Sequence, residues 1–382
     1  MAQTQTLGIG LVGHGSAGRM HALGYRILSS YYDPLPAEPR LVGVCTAREE
    51  TGVKAQKEHG FQFHCTDYRL LLERDDIQII DCCAPNFLHR AIVIEALEAG
   101  KHVYCEKPLA LNLAEAEELA ALAQRSGLKC QVVFNYRFVP AVMRAKELIA
   151  EGALGEVISF RGAYLHSGYL DPRRPMSWRL RGAQAGGGAL MDLGPHILDL
   201  LRYLLGEFAS VFAETRTLIT QRPSEDGKGL EEVDVDDLAV LQLKLRSGGI
   251  GTIEVSRCAA GANDELKFEI YGSKGALTFN LMDPNWLYFY DATEEGGPLG
   301  GQKGFKRIET VQRYPEPAVF PYPRAPVGWC RFHIASQYQL IRTIALDLPP
   351  EPSFEDGLAV QRIIEAAYLS AERGERVDLE VR

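Results

Sequence analysis

The sequence predicts an α/β protein in two parts: a doubly wound parallel sheet in the first third, then an α/β domain built on an open, mostly antiparallel sheet. Over residues 7–134 short continuous apolar runs interleave with amphipathic helical stretches, the pattern of a parallel sheet covered on both faces. After Phe134 strands follow one another through glycine-rich turns such as Ser247-Gly248-Gly249 and Gly272–Gly275, which are hairpin signals. The chain has 382 residues, too many for one core at about 100–200 residues per domain. The expected domains are therefore residues 1–134 and 135–382.

In the first domain, strands are expected at Leu7–Val12, Leu41–Cys45, Ile77–Cys83, Val103–Cys105 and Gln131–Phe134. Ser30–Pro39 holds three prolines and reads as a surface loop. Asn112 with Glu115 resembles a capping box, and Gly127 marks where that helix stops. In the second domain, Val139–Ala150 and Gly188–Leu205 read as helices, Gly155–Tyr164 as a strand, and Leu165–Gly187 as a long loop of the kind that carries function. Leu238–Leu245, Ile250–Ser256, Leu266–Tyr271 and Ala276–Asn280 complete a sheet, Thr293–Val327 is irregular, and the helices Trp329–Ile344 and Phe354–Glu372 close the chain. Leu238–Leu245 and Ile250–Ser256 offer apolar side chains on both faces in places, which predicts a homodimer or homotetramer joined through the sheets.

Composition excludes several classes of function. A formal charge of −9 disfavours nucleic-acid binding, which needs clustered cations. No apolar run is long enough to span a bilayer, and Met1–Thr6 has none of the features of a signal peptide, so a cytoplasmic protein is expected. The eight cysteines show no C-x-x-C spacing and read as reduced core residues.

Chemistry is first suggested by Gly13-x-Gly15-x-x-Gly18, directly after the first strand and opening a helix with Ser16 and Ala17 in its first turn. The first glycine permits the turn, the second lets a pyrophosphate approach, and the third lets helix and strand pack, which predicts a Rossmann domain binding a dinucleotide. The second strand ends without a carboxylate for a ribose 2′-hydroxyl; Thr46 and Arg48 stand there instead and favour NADP, with NAD the alternative. Pro85, Asn86 and His89 follow the fourth strand, and Glu106 and Lys107 follow the fifth, at the sheet edge where such folds bind ligands. A cis bond is expected at Lys107–Pro108, since proline lowers the trans preference. Asp192 and His196, four residues apart, would share one face of a helix, so that the carboxylate orients the imidazole. Read alone, such a pair is more often a capped or satisfied structural histidine than a catalyst. No metal site is expected, because no further His or Cys has matching spacing and His166 is isolated.

Taken in order, Gly13-x-Gly15-x-x-Gly18, Ala84-Pro85-Asn86-x-x-His89, Glu106-Lys107-Pro108 and Asp192-x-x-x-His196 resemble the Gfo/Idh/MocA family of NAD(P)-dependent oxidoreductases over nearly the whole chain. Asn135–Pro140, Ser177-Trp178-Arg179 and Gly188–Gly206 resemble its levoglucosan dehydrogenase-like branch. The resemblance implies a catalytic triad of Lys107, Asp192 and His196 and hydride transfer between a nicotinamide and a secondary alcohol of a sugar, glycoside or cyclitol. It leaves open a non-catalytic sensor of the same fold. Asn135, Tyr136, Arg137, Tyr164 and His166 are expected with Asp192 and His196 in the sugar pocket. Trp178 and Arg179 are expected at the cofactor or at the sugar.

Overall fold

The structure is a computed structural model and describes residues 5–311 and 314–379. The chain opens with β1 (Thr6–Val12), α1 (Ser16–Tyr31), β2 (Glu38–Cys45), α2 (Glu49–His59), β3 (Phe63–Cys65), α3 (Arg69–Leu72), β4 (Ile79–Cys82), α4 (Asn86–Glu98), β5 (His102–Cys105), α5 (Leu113–Ser126) and β6 (Cys130–Val132). These six strands form one sheet in the order β3-β2-β1-β4-β5-β6, with every pair parallel. The strand order reverses between β1 and β4, which opens a crevice at the carboxyl ends of those two strands. Asn112 caps α5 by accepting the Glu115 amide at 3.0 Å, while Glu115 reaches back to the Leu111 amide at 3.2 Å. Gly127 then ends the helix in the left-handed region at φ 67°.

A second compact unit begins at Val139. It contains α6 (Pro140–Ala150), β7 (Val157–Leu165), α7 (Gly182–Ala185), α8 (Ala189–Asp192), α9 (Gly194–Leu205), β8 (Phe208–Arg216), β9 (Gln221–Pro223), β10 (Leu230–Glu232), β11 (Leu238–Leu245), β12 (Ile250–Ser256), β13 (Glu265–Gly272), β14 (Gly275–Asn280), β15 (Trp286–Asp291) and β16 (Lys306–Glu309). With β17 (Val377–Asp378) these give a nine-stranded sheet, β16-β15-β14-β13-β7-β12-β11-β8-β17. Only β7 with β12 is parallel among its pairs, so the expected mostly antiparallel sheet is present. β8, β15, β16 and β17 add strands to this sheet where none were expected. β11 alternates strictly, burying Ala239, Leu241, Leu243 and Leu245 and turning Val240, Gln242 and Lys244 outward, while Ile250 of β12 is also exposed. Its open face is therefore mixed rather than apolar.

The domain boundary also moves. The chain returns to the first unit at Tyr314–Gln361, which holds α10 (Trp329–Ala345) and the opening turns of α11 (Phe354–Arg373). Ile334, Leu340 and Ile341 of α10 join the core formed by Leu7, Tyr25 and Leu28. Gln337 donates to the His21 carbonyl at 2.8 Å, and a Cβ on Gly24 would fall 1.8 Å from the Gln337 amide oxygen. Neighbours in sequence thus separate because packing on α1 decides where this helix belongs. Among the described residues no helix is long and apolar enough to cross a membrane.

Candidate active site

The turn after β1 has the geometry its glycines imply. Gly13 has φ +94°, and a Cβ there would lie 2.5 Å from the Cys83 carbonyl oxygen; one on Gly18 would lie 2.1 Å from the Gly13 oxygen. Gly15 would meet nothing within 4 Å. It stands at the N-terminus of α1 without a side-chain cap, so the first amides of the helix, at Ser16, Ala17 and Gly18, face open space with the positive end of the helix dipole behind them. That is the cradle of a pyrophosphate, and it fits a dinucleotide.

The next turn departs from expectation. Thr46 is buried, its hydroxyl donating to the Arg48 carbonyl at 2.8 Å and accepting from Thr51 at 2.9 Å. Such a turn satisfies the hydroxyl locally and takes it away from a ribose phosphate. Arg48 is exposed just ahead of α2, and it alone of the two stays available.

Pro85 precedes α4 and Asn86 begins it. His89 was expected at the cofactor but is fully buried, with Nδ1 2.9 Å from the Pro108 carbonyl and Nε2 2.9 Å from the Ala84 carbonyl. It ties together the loops that follow β4 and β5. Glu106, also expected at the cofactor, turns to His21: its Oε1 is 3.2 Å from Nε2, and its Oε2 accepts the Lys107 amide at 3.2 Å. Burial would raise the Glu106 pKa, but its contact with His21 and the positive charges of His21 and Lys107 hold it down at about 2. The Lys107–Pro108 bond is cis, as expected.

Three candidates for the sugar pocket fall in the first unit and are buried in the turn Asn135–Phe138. Asn135 lies 3.1 Å from His333 Nε2, and Arg137 pairs with Asp356 at 3.0 Å while only 5 % exposed. Arg137 is thereby committed to the fold. Tyr136 is buried beside it.

In the second unit the expected single helix is broken at Leu193. Asp192 ends α8, and His196 is the third residue of α9. Pro195, lacking an N–H, sits in the first turn of α9, where that loss is tolerated. Asp192 and His196 are both half-buried. The glycines ahead of them serve packing. A Cβ on Gly188 would lie 1.8 Å from the Asp236 carbonyl oxygen, and one on Gly187 would lie 2.2 Å from the Tyr368 hydroxyl. The Asp236 carboxylate accepts the Gly188 and Leu190 amides at 2.9 and 2.8 Å, capping α8. Asp236, unremarked in the sequence, thus anchors the turn that carries Asp192.

Tyr164 and His166, at the end of β7, meet on Asp264, a residue that no sequence motif marks. The Tyr164 hydroxyl donates to Asp264 Oδ1 at 2.7 Å, and His166 Nε2 is 3.1 Å from the same oxygen. The Tyr164 ring stands edge-on to His196 at 5.7 Å. Burial raises the Asp264 pKa, yet His166, Tyr164 and the charge of His196 bring it below the usual value. The signal was faint, a lone acid in the Arg257–Asp264 loop. Trp178 and Arg179 lie in a short turn of this unit, the guanidinium stacked 4.2 Å over the indole. Among the described residues three clusters have metal-ligand chemistry: those around His21 and His89, where carboxylates and carbonyls already lie against the ring nitrogens, and His14 with Glu58 and His59.

The arrangement has known counterparts. Residues 7–134 match the pattern described as the oxidoreductase family, NAD-binding Rossmann fold, and residues 142–278 match the GFO/IDH/MocA C-terminal domain. Levoglucosan dehydrogenase of Pseudarthrobacter phenanthrenivorans is 35% identical, with 98% of each chain covered. Myo-inositol 2-dehydrogenase of Thermotoga maritima is 26% identical over 97% of this chain and 98% of its own. A solved levoglucosan dehydrogenase in complex with NADH and levoglucosan superposes with a TM-score of 0.94 at 36% identity, covering 99% of this chain and 100% of that one.

Proposed function

This chain belongs to the Gfo/Idh/MocA family of oxidoreductases, an NAD(P)-dependent dehydrogenase of CH–OH groups, and we propose that its substrate is a pyranose or anhydro-sugar, with cyclitols second. The observation that carries the nucleotide half is the open, uncapped start of α1 over Gly15, between two glycines that tolerate no Cβ. The sugar class rests on the relatives that act on levoglucosan and myo-inositol and on Tyr164, His166 and Asp264, whose hydrogen-bonding groups suit a polyol.

When bound, the nicotinamide supplies the hydride acceptor. The residues of the chain do the remaining work. His196 takes the proton of the reacting hydroxyl as general base. Lys107 stabilises the negative charge that develops on that oxygen, and Asp192 orients His196. Asp264 positions Tyr164 and His166 for the neighbouring hydroxyls of the sugar. With Thr46 turned inward, NAD is placed first, and Arg48 is the residue that would admit NADP. The open face of the second sheet, between copies of the chain, would form a homodimer or homotetramer; light scattering that found only monomer at micromolar concentration would contradict this.

A panel of anhydro-sugars, pyranoses, glycosides and cyclitols with each nucleotide, read at the nicotinamide absorbance, tests the reading. Turnover of at least one pyranose or anhydro-sugar is expected, and none with any compound would overturn it. Arg48→Ala should weaken NADP by about 1.5–3 kcal/mol, the range of a hydrogen bond to a charged group, and leave NAD nearly unchanged.

A further inference from the structure

The Glu-Lys-Pro motif has a glutamate and a proline for which the proposed chemistry gives no role. Both are held by buried histidines. Glu106 joins His21 to the lysine's own amide, one oxygen at His21 Nε2 and the other on the Lys107 N–H, each at 3.2 Å. On the opposite side of its ring, His21 Nδ1 is 2.9 and 3.0 Å from the two oxygens of Asp81. His21 and Asp81 are 0% exposed. Nδ1 is hydrogen-bonded to Asp81, and Nε2 has the Glu106 carboxylate as its nearest charge at 3.2 Å, so two anions flank the ring and favour its protonated, positively charged form. Beyond the lysine, the Pro108 carbonyl is fixed by His89, which also holds the Ala84 carbonyl.

We propose that His21 is a positioning residue for Lys107: a permanent buried cation that keeps Glu106 ionised and thereby fixes the lysine's backbone, with His89 as the second clamp. Burial opposes the charge on His21, but Asp81 and Glu106 more than offset it and raise the pKa to about 10. The other groups around the ring do not supply that charge. Cys83, from the β4 end, lies 3.2 Å from Nδ1, and burial pushes its thiol up. Tyr25 of α1 and Tyr104 of β5 are buried and likewise pushed up. His333 of α10, 5.7 Å away ring to ring, is pulled down to about 3 by burial and stays neutral. Asp81 and Glu106 would otherwise repel each other in a dry site. His21 lies between them and offsets that repulsion.

This inference rests on the role proposed for Lys107, and a double-mutant cycle of His21→Gln with Lys107→Ala on the best substrate of the panel separates the two. His21→Gln should lower kcat on the order of ten- to a hundred-fold, as loss of positioning does, with the NADH dissociation constant unchanged. In the Lys107→Ala background the same substitution should cost less than about twofold. An equal loss in both backgrounds would mean a merely structural role and overturn the proposal, as would a normal kcat in the single variant. Failure of Lys107→Ala to lower turnover would instead sink the role of the lysine. Should His21→Gln not fold, Glu106→Gln, which keeps the shape and one acceptor oxygen, runs the same cycle with the same expected outcomes.

Discussion

Two networks in this molecule use the same parts, a histidine and carboxylate with a tyrosine at hand, and do opposite things with them. In the first unit His21 lies between Asp81 and Glu106, with His21 and Asp81 fully removed from solvent. In the second, Asp264 gathers Tyr164 and His166, with the His166 and Asp264 side chains 33% and 40% exposed. In the dry site an ion without its counter-ion is costly, so the charges are locked together and the network becomes a foundation. At the half-exposed pair His166 and Asp264 water screens the charges, so these two groups can exchange protons and meet a ligand. Exposure, rather than residue type, separates support from chemistry.

The same substitution in each network sharpens the contrast. Asp81→Asn should cost roughly 3–5 kcal/mol of stability, the range for breaking a buried pair, read by urea denaturation. Asp264→Asn should cost under about 1 kcal/mol while raising KM for the sugar several-fold and leaving NADH affinity alone. Equal stability losses at the two positions would erase the distinction.

The buried network should also respond to pH. The folded pKa of His21, about 10, lies above its ordinary 6.5, so its contribution is complete below pH 6.5 and is lost as pH rises toward 10. Glu106, folded at about 2 against an ordinary 4.5, contributes above pH 4.5 and loses that contribution as pH falls toward 2. Stability should therefore slope downward above neutrality in the wild type, and His21→Gln should flatten that slope. An unchanged slope would mean that His21 is not the buried cation. The smallest effect is expected from Asp264→Asn over the same alkaline range, where Asp264 is ionised both folded and unfolded.

How much of this was legible depends on how local each feature is. The parallel strands, the cap at Asn112, the glycine turn and the order of motifs are encoded in neighbouring residues, and the sequence announces them. His21 is different, since Asp81 lies 60 residues away. Its trace was present: His21 shares the buried face of α1 with Gly18, Tyr25 and Leu28, and Asp81 is a charge inside an otherwise apolar buried strand. A charge in such a strand demands a partner, and that demand is readable even when the partner is not. Thr46 misled because a hydroxyl at a strand end reads equally as a ligand or as a local turn. The return of residues 314–361 to the first unit could not be read from order along the chain. Asp264 had no periodicity to flag it.

The proton acceptor is the most directly testable part of the chemistry. On the best sugar of the panel, turnover and NADH dissociation should be measured side by side for the wild type and His196→Asn. A positioned general base supplies about 10²–10⁴ in rate, so the variant should turn over at least about a hundred-fold more slowly while binding NADH as before. Near-normal turnover in His196→Asn would contradict the assignment of the base.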